Sequence, residues 1–262
     1  MKLRWLLTAA FEIITDNFKI LIDPWILRPS TAEQQLNTTI NDIKGADAIF
    51  LTHGHYDHSL YVPEIVKGTE TKVYCSEQIK EVFLNDLGVN ERNLIGIQPS
   101  GVIEFQPEFK VTVVKSQHIE FDRSTLERLK NAQLDNVMAT PKFKLKDVGK
   151  YVVGDVFGYL FEFSNGKKLI HFGSGGYYEE ELKDLPKEID IFLAPVAGRE
   201  DVEAIVAKMA CVFNPKMIIP HHYDDFVPPF SHYAYKNFDE EVKNINPNII
   251  VNKLDPEVYY EF

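Results

Sequence analysis

The sequence predicts an α/β fold, a single domain of layered sheets flanked by helices over residues 1–262. Three observations carry that expectation. Short apolar runs of strand length alternate with stretches whose apolar residues recur at helical spacing. Histidines follow three of those strand-like runs, at the ends where α/β folds place their chemistry. No glycine-serine linker or low-complexity tract divides the chain.

The opening reads as a meander of Leu3–Leu7, Glu12–Thr15 and Phe18–Ile22, with Asp16-Asn17 as turn chemistry and Asp23-Pro24 ending the third strand. Ala48–Leu51 is a short apolar run of the kind a buried strand needs, and a histidine-rich segment follows at once. Ser59–Lys67 and Glu77–Leu87 have helical spacing, Gly88 supplies a stop, and Lys72–Cys75 is a strand between them. Val102–Phe105 and Lys110–Val114 read as strands leading to Ser116-Gln117-His118. The polar stretch at about 120–150, with a helix over Ser124–Ala132, reads as an insertion or lid. Val156–Phe163 and Lys168–Phe172 flank Asn165-Gly166, a strong hairpin signal, and Gly173-Ser174-Gly175-Gly176 comes next. The chain then offers a strand at Ile189–Ala194, a helix over Asp201–Phe213, and a strand at Met217–Ile219 running into Pro220-His221-His222.

With 45% hydrophobic and 26% charged residues in 262, the chain has a globular composition and enough length for a large core. The 39 acidic against 28 basic side chains give a net charge of −11, which opposes the phosphate attraction behind most nucleic-acid binding. Cys75 and Cys211 are far apart without metal-type spacing, so two buried thiols are expected rather than a disulfide framework. The apolar start is short, carries Arg4 and runs into Glu12, which is not the layout of a cleaved signal peptide. No segment reaches membrane-spanning length, and a cytoplasmic location without membrane insertion is the expectation. Oligomerisation is left open, a homo-oligomer included.

The chemistry concentrates in Thr52-His53-Gly54-His55-Tyr56-Asp57-His58. In an extended segment, His53 and His55 are two apart and project to one side, so two imidazoles can grip one ion. Asp57 and His58 can face a neighbouring position. Imidazole and carboxylate suit zinc, manganese or iron, and a site with an open position lowers the pKa of bound water to about 7. A lone histidine beside a strand end would be an ordinary loop residue. Three within six positions, with a carboxylate among them and two more histidine sites after other strands, point to one or two divalent transition metals, zinc first.

This run resembles the signature of the metallo-β-lactamase fold superfamily, and Trp5–Asp23, His118, His171–Gly176 and Lys216–Tyr223 fall in that family's order. The resemblance implies a four-layer αββα sandwich with its metal site between sheet edges. Leu21-Ile22-Asp23-Pro24-Trp25 and Ile219-Pro220-His221-His222-Tyr223 are similar to the ascorbate-6-phosphate lactonase and N-acyl-phosphatidylethanolamine phospholipase D-like branch. Carried over residue by residue, His53, His55 and His118 resemble the first metal's ligands, and Asp57, His58 and His222 the second's. His222 matches the spacing after the proline better than His221, which is kept as a metal-site or substrate contact. Asp57 is also the expected catalytic residue, binding metal and orienting the nucleophile.

Two departures stand out. The family has an aspartate bridging both ions where this chain has Ser174, and a glycine-histidine-alanine run where it has Leu7-Thr8-Ala9-Ala10. A neutral hydroxyl is a poor ligand, so the second site is expected to bind more weakly, or the protein to hold one ion. Asp122, His171, Glu179, Asp224 and Asp225 lie near the matched segments as candidate ligand partners, with solvated loop charge as the ordinary alternative. Trp25, Phe121, Phe226 and Phe230 are candidates for an apolar wall, and His232 for a pocket lining, against plain packing. The glycines at 173, 175 and 176 lack a Walker lysine and read as a tight turn.

The expected function is a metal-dependent hydrolase in which a metal-bound hydroxide attacks a small anionic ester, lactone or phosphodiester. The diiron flavoprotein type usually has a glutamate where this chain has Gly54, which argues against it. The rival is a catalytically weakened metal- or ligand-binding protein of the same fold, having lost the bridging aspartate at Ser174.

Overall fold

The computed structural model describes residues 1–131, 149–224 and 235–262. Among these the strands form two sheets of similar build, each an antiparallel meander continued by parallel strands. In the first, β1 (Lys2–Trp5), β2 (Phe11–Ile14) and β3 (Lys19–Ile22) are antiparallel neighbours. The sheet then runs parallel through β4 (Ala48–Phe50), β5 (Lys72–Ser76) and β6 (Leu94–Ile97). Parallel neighbours need crossovers, and the chain supplies them as α1 (Ile40–Ile43), α2 (Tyr56–Ser59) with α3 (Val62–Val66), and α4 (Glu77–Asn85).

The second sheet opens with β7 (Val102–Phe105), β8 (Phe109–Gln117), β9 (Val156–Phe163) and β10 (Lys168–Phe172), antiparallel in succession. After α5 (Arg123–Asn131), β9 begins beyond the residues that are not described. Two-residue β11 (Gly176–Tyr177) pairs with the end of β8. From β10 the sheet continues parallel through β12 (Ile191–Pro195), β13 (Met217–His221) and β14 (Ile250–Val251). Their crossovers are α6 (Glu179–Lys183), α7 (Val202–Phe213) and α8 (Phe238–Ile245). A last strand, β15 (Tyr259–Glu261), returns to pair with β1.

Three apolar clusters show the layering. One joins α1, α3 and α4 to the outer face of the first sheet, through residues such as Ile43, Ile65, Phe83 and Val73. A second lies between the sheets, where Trp5, Phe11 and Phe50 meet Val111, Phe161 and Ile219. The third packs α7 and α8 on the outer face of the second sheet, through Val206, Phe213, Phe238 and Phe192. Helix, sheet, sheet, helix is the αββα sandwich expected from the sequence. Strands buried on both faces carry near-continuous apolar runs, as Val156–Phe163 does.

The sheets are also tied by polar groups beneath the histidine motif. Tyr159 Oη donates to the Leu51 carbonyl at 2.5 Å, and the Phe157 N–H donates to the Thr52 carbonyl at 2.8 Å. The carboxyl ends of β3, β4, β8, β10 and β13 therefore meet along one edge, and the segments that follow them build the site. Of the thiols, Cys75 is buried, whereas Cys211 on α7 is only half-buried, a correction to the expectation of two buried cysteines. Helical spacing placed Cys211 on α7 but not the side that the neighbouring chain leaves open.

Candidate metal centre

The segment after β4 is held open by its surroundings. Gly54 donates its N–H to the Val153 carbonyl at 2.9 Å, and a Cβ at 54 would overlap the Val152 carbonyl oxygen and sit 3.0 Å from Ile79 Cγ1. A side chain at this position has no room without a shift of the neighbouring backbone. His53 and His55 thereby project together, His53 Nε2 lying 3.2 Å from His55 Nδ1. Tyr56 then starts the one-turn helix α2, which turns Asp57 and His58 to the other side.

Six side chains gather as two triads. The donor atoms of His53, His55 and His118 lie within 4.8 Å of one another, as do those of Asp57, His58 and His222. The His53 and His58 rings, one from each triad, are 3.9 Å apart between centroids. His53 and His58 are buried, while His55 and His118 are half-buried and form the open side.

Hydrogen bonds fix which ring nitrogens face inward. Asp23, at the end of β3, accepts from the Thr52 N–H at 2.8 Å and from the Thr52 hydroxyl at 2.6 Å. With its proton committed there, the Thr52 oxygen can only accept from His53 Nδ1, 3.0 Å away, and Nε2 of His53 keeps its lone pair. His58 Nδ1 donates to Asp23 Oδ2, the oxygen that also accepts the Thr52 hydroxyl, at 2.8 Å, and His118 Nδ1 donates to the Ile119 carbonyl at 2.8 Å. Both rings present Nε2 to the site. Asp57 Oδ2 lies 3.6 Å from His58 Nε2 and 3.4 Å from His222 Nε2.

The electrostatics suit ion binding. Burial and the neighbouring histidines hold His53 well below the ordinary imidazole range and bring His118 down to about 4, so both stay unprotonated at neutral pH, the form that can bind a metal. Burial alone would raise the Asp23 carboxyl, but the charge of His58, the nearby His171 ring and the hydrogen bond from His58 outweigh it and leave Asp23 at about 2. Asp57 is likewise held ionised, His58 and His222 overriding the cost of burial. Burial lowers His58, yet Asp23 and Asp57 raise it further than burial lowers it.

The backbone at the site is constrained. Asp23, Thr8 and His222 have φ of 44°, 47° and 64°, the left-handed region that non-glycine residues avoid. The His222 N–H donates to the Thr8 carbonyl at 3.0 Å. Thr8 donates its N–H to Asp224 Oδ1 at 2.9 Å, and Arg28 pairs with Asp224 in a fully buried ion pair. A network of Thr8, Asp224 and Arg28 thus fixes the turn that carries His222 where Leu7-Thr8 replaces the glycine-histidine run.

The remaining candidates separate clearly. His221 is buried outside both triads, its ring stacked on His171 at 5.0 Å and edge-on to Phe11 at 5.3 Å. His171 reaches the Asp23 carboxylate at 3.6 Å. Ser174 is buried, and its oxygen accepts the Ile119 N–H at 2.9 Å. Phe121 sits edge-on to His118 at 5.7 Å, and Trp25 edge-on to Tyr56 at 6.1 Å. Asp122 instead caps α5 through the Thr125 N–H, and exposed Glu179 pairs with Lys183 on its own helix. Asp225, Phe226, Phe230 and His232, and 132–148 of the supposed insertion or lid, lie outside the described residues. Asp23, Thr52 and Thr8 stand in the segments quoted from the sequence without a role of their own, and Arg28 in none of them; an acidic residue ending an apolar strand is the available signal for Asp23.

Comparison with known proteins gives a consistent result. A family model described as the β-lactamase superfamily domain matches residues 19–223. A UPF0173 metal-dependent hydrolase of Methanobrevibacter smithii is 30% identical over 269 residues, spanning 100% of this chain and 97% of that protein. Among solved structures, Igni18, a metallo hydrolase from Ignicoccus hospitalis, superposes with a TM-score of 0.70 at 22% identity, covering 100% of this chain and 98% of the other. The metallo-β-lactamase fold protein YhfI of Bacillus subtilis gives 0.64 at 12% identity, covering 99% and 98%. At such identities the two structures speak for the fold.

Proposed function

The chain belongs to the β-lactamase superfamily domain family and is a metal-dependent hydrolase, and from that premise we propose that it cleaves a small anionic ester, lactone or phosphodiester at the paired triads. The observation that carries this reading is the convergence of the donor atoms of His53, His55 and His118 within 4.8 Å. The residues fit a divalent ion such as zinc, manganese or iron, because hydrogen bonds occupy the outward nitrogens of His53 and His118 and leave the inward ones as lone pairs. A bound ion supplies Lewis acidity and brings the pKa of water down to about 7.

The chain's own groups do the rest. Asp57, held ionised, is the catalytic carboxylate: it accepts a hydrogen bond from the attacking water and orients it beside His55 and His118. Asp57, His58 and His222 offer a second, weaker ion site, since Ser174 brings no charge where the family has an aspartate. That missing charge favours an anionic substrate group, which can sit near both cations. The half-buried His55 and His118 mark the side from which substrate approaches, with Phe121 beside them. A lactone or phosphodiester fits the branch resemblance of the segments around Asp23 and His222. The test is a panel of such substrates assayed with zinc or manganese. Wild type should turn over at least one member in a metal-dependent way, and Asp57→Ala should lose about 100-fold or more. Equal rates in the two proteins would count against the assignment.

A further inference from the structure

We propose that Ser174 is a positioning residue for His118 and not a ligand of the second site. The turn after β10 clamps the His118 segment on both sides. On the N-terminal side, β11 pairs with β8 in the register Gly176↔Gln117 and Tyr177↔Ser116. Ser116 Oγ donates to the Gly176 carbonyl at 2.8 Å, and Gln117 Nε2 to the Tyr177 carbonyl at 3.0 Å. The approach is close enough that a Cβ at 176 would lie 2.9 Å from the His118 carbonyl carbon, so only glycine fits. On the C-terminal side, the Ile119 N–H donates to Ser174 Oγ at 2.9 Å.

That N–H belongs to the peptide joining His118 to Ile119, and the His118 ring is itself pinned through Nδ1 to the Ile119 carbonyl. The Ser174 oxygen and the imidazole therefore hold the two ends of one residue, Ile119. Ser174 is buried, so removing its oxygen leaves the Ile119 N–H without a partner and drives the peptide to rotate. Rotation changes ψ of His118 and φ of Ile119, so the Ile119 carbonyl shifts relative to the imidazole it holds, and with it the direction of His118 Nε2. Partners that orient a ligating histidine in this way typically cost 10–100-fold in metal affinity when removed.

The inference rests on His53, His55 and His118 holding an ion, and zinc titration separates the two claims. Metal-free wild type, Ser174→Ala and Ser174→Thr are titrated calorimetrically with zinc, the step belonging to the three-histidine site being the one that His55→Ala removes. For Ser174→Ala that step is expected to weaken about 10–100-fold, with the other step within twofold of wild type. Ser174→Thr, which keeps the oxygen, should bind within about threefold of wild type. Far-UV circular dichroism of the metal-free variants should match wild type, so the readout is affinity and not folding. Weakening of only the other step, no weakening, or equal loss in both variants overturns the positioning role. Wild type that binds no zinc overturns the metal reading and this inference with it.

Discussion

The Nδ1 proton of His58 is held by the Asp23 carboxylate at 2.8 Å, and the same carboxylate reaches His53 through the Thr52 hydroxyl. One buried anion thus sets the ring direction of a histidine in each triad. Asp23→Asn keeps the shape but removes the charge that draws both protons. It is expected to weaken zinc binding at both triads by about 10–100-fold. Thr52→Val cuts only the branch to His53 and should weaken the three-histidine site alone. Calorimetric titration distinguishes the two patterns, and an Asp23→Asn protein with wild-type affinities would show that Asp23 serves packing only.

Gly54 is required by space. A Cβ there meets the Val152 carbonyl oxygen and Ile79, so Gly54→Ala should destabilise the protein by about 1–3 kcal/mol. At about 2–4 °C per kcal/mol for a chain near this size, the melting temperature falls by several degrees. Gly149→Ala, where a Cβ meets nothing within 4 Å, is the control and should melt like wild type.

Cys75 should be inert to thiol reagents at pH 8. Burial, with Glu77 nearby, pushes its thiol from about 9 up to about 12. At pH 8 the thiolate fraction is then on the order of a thousandfold smaller than in an unfolded chain, and the thiolate is the reactive form. The sign for stability follows. Above pH 9 the unfolded chain releases a proton that the folded chain keeps, so this group's contribution falls as pH rises from about 9 to about 12. Labelling with a chromogenic disulfide should show Cys75 reacting only after denaturant is added. Rapid reaction of two thiols in the native protein would contradict this.

Local signals were the legible part of the fold. Asn165-Gly166 fixed the β9–β10 hairpin to the residue, since Gly166 takes the positive φ of 83° that the turn requires. Where long-range contact decides, the sequence said less. Ser59–Lys67 reads as one helix but is interrupted after α2, and Pro63 lies in the first turn of α3, where its missing N–H costs nothing. Strand β8 runs on to Gln117, past the apolar run, because β9 and β11 pair with its end. Helix α8 does carry a signal, Phe238, Val242 and Ile245 at helical spacing, which the sequence reading leaves unused, whereas the short edge strands β14 and β15 have too little apolar pattern to be read in advance. At the site, the histidine run announced itself through spacing. Asp23 shows only as an acidic residue ending an apolar strand, and its role stays hidden because its partners Thr52 and His58 lie 29 and 35 residues away. The link from Thr8 to Asp224 spans 216 residues and exists only once the sheets have packed.

On the proposed reading the two triads are unequal ion sites, the firmer at His53, His55 and His118 and the weaker at Asp57, His58 and His222. Two cations close together repel, and the neutral Ser174 hydroxyl, already engaged with Ile119, offsets none of that repulsion. Zinc titration of the metal-free wild type at neutral pH is the direct measurement. Two resolved steps are predicted, the tighter one lost in His55→Ala and the looser one lost in His222→Ala. Two equally tight steps, or no zinc binding, would contradict the account.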